Sequence, residues 1–184
     1  MKYKISLFLF LLLSGFCLAL APETDLNKAP DRIKKLISNE NDFTVLIEAI
    51  SEGDKGWLST VPDISEWITP EQSNRLMNAL IHSLIMSPVE TVHTLSMIDK
   101  QIAAKGHSPI RDKFGTDTVC AYMIDINRYN RPSFFQFYSK AKSQLEKTGD
   151  KGKICLEIMN ASVEEVLYEE KKGNLKWGKE RYPF

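Results

Sequence analysis

Histidine and cysteine are the residues of this chain best suited to metal binding or nucleophilic catalysis, and there are only three of each. His82 and His93 fall on adjacent predicted helices, where an acid such as Glu90 could join them around a metal ion. A metal site needs roughly three or four protein ligands, and only the two histidines align. The sequence has no H-E-x-x-H, G-x-S-x-G or C-x-x-C motif and no glycine-rich phosphate loop. We therefore predict no catalytic residues, no metal ligands and no cofactor, and we expect the protein not to be an enzyme.

Acidic residues are concentrated between positions 39 and 71, where eight carboxylates accompany a single base, Lys55. Two tryptophans lie in the same stretch. Tryptophan supplies contact area at interfaces and opposite charge speeds association, so this composition suits recognition of a basic protein surface. The alternative is that both tryptophans are core residues and the acids solvate helix faces. The candidate partner surface consists of Glu48, Glu52, Asp54, Trp57, Asp63, Glu66 and Trp67.

The C-terminal end has the opposite character. Residues 171–184 contain five bases and one acid, together with Trp177, Tyr182 and Phe184. Such a tail could dock on the acidic stretch of its own chain or of a second copy, so a homodimer is possible. It could also contact an anionic membrane surface, or it could be mobile, as many chain ends are.

The first residues have the layout of a secretory signal peptide. Lys2 and Lys4 precede an apolar run over residues 5–13, and small residues follow. A membrane-spanning helix needs about 20 apolar residues, so the run is too short to be an anchor. We predict that residues 1–19 are removed by cleavage after Ala19, because a cut after Ala21 would place Pro22 directly behind the cleaved bond. Membrane contact is then limited to the transient signal peptide.

Removal of the leader would leave two cysteines, Cys120 and Cys155. An even number of cysteines in an oxidising compartment predicts one disulfide, with two buried free thiols as the alternative. The chain has 24 basic and 24 acidic residues, and the leader carries two bases and no acid. The mature chain is therefore slightly acidic, which argues against binding to nucleic acid.

Helical signals dominate the rest of the sequence. Apolar residues recur at intervals of three and four, which is the spacing of one helix face. Thr69–Gln72 and Ser87–Glu90 both have the pattern of a capping box with proline at the first helical position. They predict one helix from Pro70 to Met86 and a second from Pro88 to about Asp99.

Other helix boundaries are predicted from single residues. Asp42 and Asp117 are candidate helix caps, and Pro62 is predicted to break a short helix. Gly173 is predicted to stop a long final helix that begins near Lys151.

No segment alternates apolar and polar residues for long enough to predict a strand. We therefore predict an all-α fold, a single-domain bundle of about six or seven helices arranged as stacked helical hairpins with one disulfide. This domain would span residues 31–173, between a linker at 20–30 and the basic, aromatic tail at 174–184.

The cysteine-bearing segments Gly115–Cys120 and Ile154–Leu156, with an aromatic helix between them, give the chain a resemblance to small secreted helical proteins of Gram-negative bacteria. That group includes the periplasmic immunity proteins that neutralise cell-wall amidase toxins of type VI secretion. The resemblance implies a periplasmic protein that binds a toxin and blocks its active-site cleft, and it carries over the disulfide cysteines only. The alternative function is a periplasmic protein that binds a small molecule or an envelope polymer in a pocket between helices.

Overall fold

The computed structural model describes residues 30–183. The predicted signal peptide, its cleavage site after Ala19 and nearly all of the 20–30 linker lie outside these residues. The predicted all-α fold is confirmed for the described part of the chain, as is the disulfide. The helices there are α1 (Pro30–Ser38), α2 (Glu40–Ser51), α3 (Lys55–Ile64), α4 (Pro70–Met86), α5 (Pro88–Lys105), α6 (Thr116–Tyr122), α7 (Arg131–Glu146) and α8 (Lys153–Lys172). Short 3-10 turns at Arg111–Phe114 and Gly149–Gly152 precede α6 and α8.

The two predicted capping boxes have different outcomes. At α4 the box forms, because Thr69 accepts a hydrogen bond from the Gln72 backbone and the Gln72 side chain accepts one from the Thr69 backbone. At α5 the Ser87 hydroxyl instead donates to a Glu90 carboxylate oxygen at 2.8 Å. Ser87 also ends α4, and its backbone N–H donates to the carbonyl of Ser83. Because Ser87 both ends α4 and precedes α5, its backbone (φ −144°, ψ 67°) does not adopt the usual conformation of an N-cap, and its side chain does not cap α5.

Two other predicted caps are wrong. Asn39 caps α2 by accepting hydrogen bonds from the backbone of Asn41 and Asp42, so Asp42 lies inside the first turn. At α6 the helix begins at Thr116 rather than behind Asp117. Both the backbone N–H and the hydroxyl of Thr116 donate to the carboxylate of Asp99, which comes from α5. A side chain distant in sequence therefore fixes this helix start.

Pro62 does not break its helix, contrary to the prediction, because α3 continues through it to Ile64. Proline has no backbone N–H, so the carbonyl of Leu58 lacks the donor that an ordinary residue at 62 would supply. The hydroxyl of Thr94 on α5 donates to this carbonyl at 3.1 Å. The two helices therefore satisfy a buried backbone group that the proline would otherwise leave without a partner.

We expect Thr94→Val to lower the free energy of unfolding by about 1 to 3 kcal/mol, because it keeps the shape of a buried side chain but leaves the Leu58 carbonyl without a donor. Urea denaturation measures this loss. The matched control is the same change in a Pro62→Ala background, where the alanine can supply the helical N–H. If Thr94→Val costs as much there as in the native sequence, its effect does not arise from the Leu58 carbonyl.

One hydrophobic core holds these helices together. Helix α2 packs on α4, α3 on α5, and α6 on α8. The disulfide joins α6 to α8 with an S–S distance of 2.05 Å. The largest core side chains with at most 1% exposure are Phe43, Phe114, Phe134 and Phe137.

The described part of the C-terminal tail is packed against the same chain. The Gly178 N–H donates to the carbonyl of Ile126, and backbone hydrogen bonds connect Glu180 with Arg128 and Asn130 in both directions. A Cβ atom at Gly178 would lie 2.1 Å from the Arg128 carbonyl, so glycine is required for this approach. Among the alternatives weighed from the sequence, the tail docks on its own chain, but on the 125–130 turn and α7 rather than on the acidic stretch.

Candidate binding groove

The structure separates the two tryptophans of the predicted partner surface. Trp57 is only 5% exposed and packs into the core beneath α3. It is not available to a partner, so the prediction that it belongs to the partner surface is wrong. Trp67 follows α3 and is 42% exposed, with the Lys34 ammonium 4.0 Å from the centre of its ring. The apolar spacing around Trp57 is that of a core helix face, whereas Trp67 lies beyond the end of the helix.

Three of the predicted acids interact within the chain. Asp54 caps α3 by accepting a hydrogen bond from the Trp57 backbone at 3.0 Å. Glu66 forms an ion pair with Lys105. Asp63 is half-buried, and burial, followed by repulsion from Glu66, raises the pKa of its carboxyl. Asp54 and Glu66 therefore stabilise the fold around α3, whereas the surroundings of Asp63 disfavour its charged form.

Glu48 and Glu52 differ from the other predicted acids. Both are exposed at the C-terminal end of α2, and neither has an ion-pair partner within residues 30–183. They lie along one edge of a groove of about 550 Å³. Residues from α2 (47–52), α4 (75–82), the segment 123–129 and the tail (182–183) line this groove. The acidic stretch and the tail therefore line the same groove.

Aromatic side chains also line the groove. The Tyr182 ring lies 5.0 Å from that of Tyr129, edge to face, and 6.0 Å from that of His82 in a stacked arrangement. His82 is held in place because its Nδ1 donates a hydrogen bond to the Ser51 carbonyl at 3.0 Å. The face of an aromatic ring is electron-rich and attracts cations, and the Arg128 guanidinium lies 5.1 Å from the centre of the Tyr129 ring.

The floor of the groove contains an unusual backbone conformation. Met123 follows α6 with φ 44° and ψ −100°, and it is the one non-glycine residue with positive φ in the described part of the chain. Such a conformation is strained for a residue with a side chain and persists only where the surroundings enforce it. Met123 is 1% exposed, so core packing enforces it here.

The bases near the groove do not neutralise its acidic edge. Arg75 pairs with Glu40 and donates to the Thr44 hydroxyl at 2.8 Å. Arg128 pairs with Glu180 at 2.9 Å, and this hydrogen bond is the main reason that the pKa of Arg128 is raised.

The position of Glu48 and Glu52 is electrostatically unfavourable within the chain itself. They are four residues apart on a helix, so their carboxylates share one face and repel each other. They also occupy the C-terminal end of α2, which carries the negative end of the helix dipole, and the last turn of α2 contains no base. A cation placed in the groove would relieve both effects.

Tyr182 gives the tail side of the groove a pH dependence. Burial, followed by the neighbouring Tyr129, raises its pKa from 10.0 to about 12. The folded state thus favours the neutral phenol, so this stabilising contribution is complete below pH 10 and is lost as the pH rises towards 12.

We expect Tyr182→Phe, which keeps the ring, to flatten the fall in unfolding free energy between pH 10 and pH 12. The difference between the tyrosinate absorbance titrations of the two proteins should place the Tyr182 midpoint near 12; a midpoint near 10 would show that the ring is solvated.

The two histidines considered as metal ligands line different grooves, His82 the one described above and His93 a second one beside α5. Among residues 30–183, no group of three or more histidine, cysteine or acidic side chains could hold a metal ion. No helix in this part of the chain is both long and apolar enough to cross a membrane.

No protein-family model matches the sequence, and the searches of curated proteins and of solved structures found no match. The residues that sequence reasoning missed are Arg128 and Tyr129, which lie in a segment that the sequence indicates only as a turn, and Met123, which the sequence assigns to the short helix at Cys120. The signal that could have drawn attention to it is the tyrosine and arginine cluster at 128–131.

Proposed function

We propose that this protein is a protein-binding domain of the bacterial periplasm that takes a basic side chain of its partner into the groove between α2, α4 and the C-terminal tail. The observation that carries the proposal is that Glu48 and Glu52 line this groove four residues apart and have no ion-pair partner among residues 30–183. A lysine or arginine of a partner would gain these two carboxylates, beside the Tyr129 and Tyr182 rings that line the same groove.

The proposed role is that of an inhibitor, of the kind represented by immunity proteins that block a cell-wall hydrolase toxin. The sequence resemblance around Cys120 and Cys155 supports this role, as do the predicted signal peptide and the disulfide. The tail also supports it, because a wall fixed by backbone hydrogen bonds and ring packing is organised before a partner arrives.

A second function is favoured by one specific observation, the size of the groove. Its volume of about 550 Å³ falls in the range of small-molecule sites, roughly 300 to 1,000 Å³. A cationic small molecule or a cationic unit of an envelope polymer would find the same carboxylates and rings.

The test is a pull-down from periplasmic extract with the purified, oxidised protein, followed by binding measurements with the isolated partner. We expect a stoichiometric partner that is lost at high salt, because an exposed charge pair is screened over roughly 10 Å at 0.1 M ionic strength. A Glu48→Lys/Glu52→Lys variant should bind that partner at least tenfold more weakly. If the partner is a hydrolase whose activity falls on mixing, the inhibitor role is established.

The matched control is Glu157→Lys/Glu164→Lys, which makes the same change in net charge at two exposed sites of α8 outside the groove. Equal weakening by both variants would show that overall charge, and not the groove, governs binding. A partner that binds both variants like the native protein would rule out the groove as its site, and binding of small cations alone would favour the second function.

A further inference from the structure

A second groove lies on another side of the molecule, between α3, α5 and the 3-10 turn before α8, with a volume of about 450 Å³. Leu58, Val89 and Val92 supply apolar surface along it. Leu58 and Val92 are buried, whereas Val89 is 36% exposed although it lies in the first turn of a core helix. An apolar ligand could therefore cover side-chain surface that now faces water.

The charges around this second groove differ in sign from those of the first. The Lys55 ammonium pairs with the Glu90 carboxylate at 2.5 Å, so these two charges cancel. Lys55 and the Ser87 hydroxyl also lower the pKa of Glu90, which keeps that pair ionised. Lys151 is exposed and has no ion-pair partner within the described residues, which leaves one uncompensated positive charge beside the apolar surface.

Polar groups that can bind an anion accompany this lysine. His93 and Ser96 are exposed on α5 at the edge of the same groove, three residues apart and therefore on neighbouring positions of one helix face. The ring and the hydroxyl can both donate hydrogen bonds to a carboxylate or phosphate oxygen.

From this combination we infer that the groove between α3, α5 and the 149–152 turn binds a small amphiphile whose anionic headgroup contacts Lys151 and whose apolar chain covers Val89. A free inorganic anion would meet only one uncompensated cation and would leave the apolar surface exposed. A cationic amphiphile would be repelled by that cation. The inference does not depend on the proposed partner site, because no lining residue is shared between the two grooves.

The experiment is a titration of the purified, oxidised protein with straight-chain carboxylates below their micelle concentration, followed by amide chemical shifts in a nitrogen-15 NMR spectrum. We expect octanoate, decanoate and dodecanoate to shift the amides of Val89, His93 and Lys151, with affinity rising by up to about fourfold for each added methylene. Acetate and dodecyltrimethylammonium should leave these amides unchanged.

Two variants that keep the fold identify the contacts. Lys151→Glu should weaken dodecanoate binding by about tenfold, and Val89→Ser should weaken it severalfold, since both residues are exposed. Lys176→Glu, which reverses an exposed charge outside the groove, is the matched control and should bind like the native protein.

Three outcomes would overturn the inference. They are an affinity that does not depend on chain length, equal binding of the cationic amphiphile, and amide shifts that saturate with an acidic peptide but do not change with dodecanoate. The last result would make the groove a peptide site.

Discussion

Replacing both disulfide cysteines by alanine is expected to lower the free energy of unfolding by about 4 kcal/mol, a large part of the stability of a domain of this size. Cys120 and Cys155 are 35 residues apart in sequence and at most 1% exposed. Their bond restricts the unfolded chain, so breaking it releases conformational entropy that opposes folding. In the folded state the same bond fixes α6 against α8.

Urea denaturation of the native protein and of the Cys120→Ala/Cys155→Ala variant measures this effect. Dithiothreitol supplies the matched control, because it should bring the native protein down to the stability of the variant and leave the variant unchanged. If reduction and the double substitution each cost less than about 1 kcal/mol, the bond does not constrain the unfolded chain as the loop-closure argument requires.

Much of the helical framework could be predicted from the sequence, because the signals that encode it are local. The capping box at Thr69 and the stop at Gly173, which adopts φ 75°, depend on residues within one helical turn. The disulfide could be predicted because only two cysteines lie beyond the predicted signal peptide.

The wrong predictions at Pro62 and at the start of α6 share a physical cause, which is a contact between residues distant in sequence. Pro62 is tolerated because Thr94 supplies a donor from another helix, 36 positions away from Leu58. Helix α6 begins at Thr116 because Asp99 accepts its hydrogen bonds across a separation of 17 residues. No local pattern contains these pairs, so sequence periodicity could not reveal them.

The candidate site shows the same limit more strongly. The acidic stretch drew attention to Glu48 and Glu52, but composition alone did not distinguish them from Glu66, which pairs with Lys105. That distinction depends on which side chains the fold brings together. The groove is assembled from four separate segments, and the positive φ of Met123 has no signature in the sequence.

The tail wall of the groove depends on the core beneath it, and Phe137 is the residue that connects the two. Phe137 lies on α7 with no exposed surface, and its ring is 5.5 Å from that of Tyr182, edge to face. We expect Phe137→Ala to lower the free energy of unfolding by about 4 kcal/mol, because it removes a large buried ring and leaves a cavity that the surrounding helices fill only in part. Thermal or urea denaturation measures the loss, and the Tyr182 amide shift reports the effect on the groove.

Phe135 provides the matched control, since it lies two residues earlier on the same helix but is only partly buried. Its ring packs at the surface of the bundle, 6.2 Å from Trp177 and with the Arg131 guanidinium 4.5 Å away. Phe135→Ala should therefore lower the free energy of unfolding by less than half as much as Phe137→Ala and leave the Tyr182 amide shift unchanged. If Phe137→Ala does not fold, Phe137→Leu keeps most of the volume and should still move the Tyr182 signal. Equal losses at the two positions, or an unmoved Tyr182 signal in the Phe137 variants, would show that the tail does not rest on this part of the core.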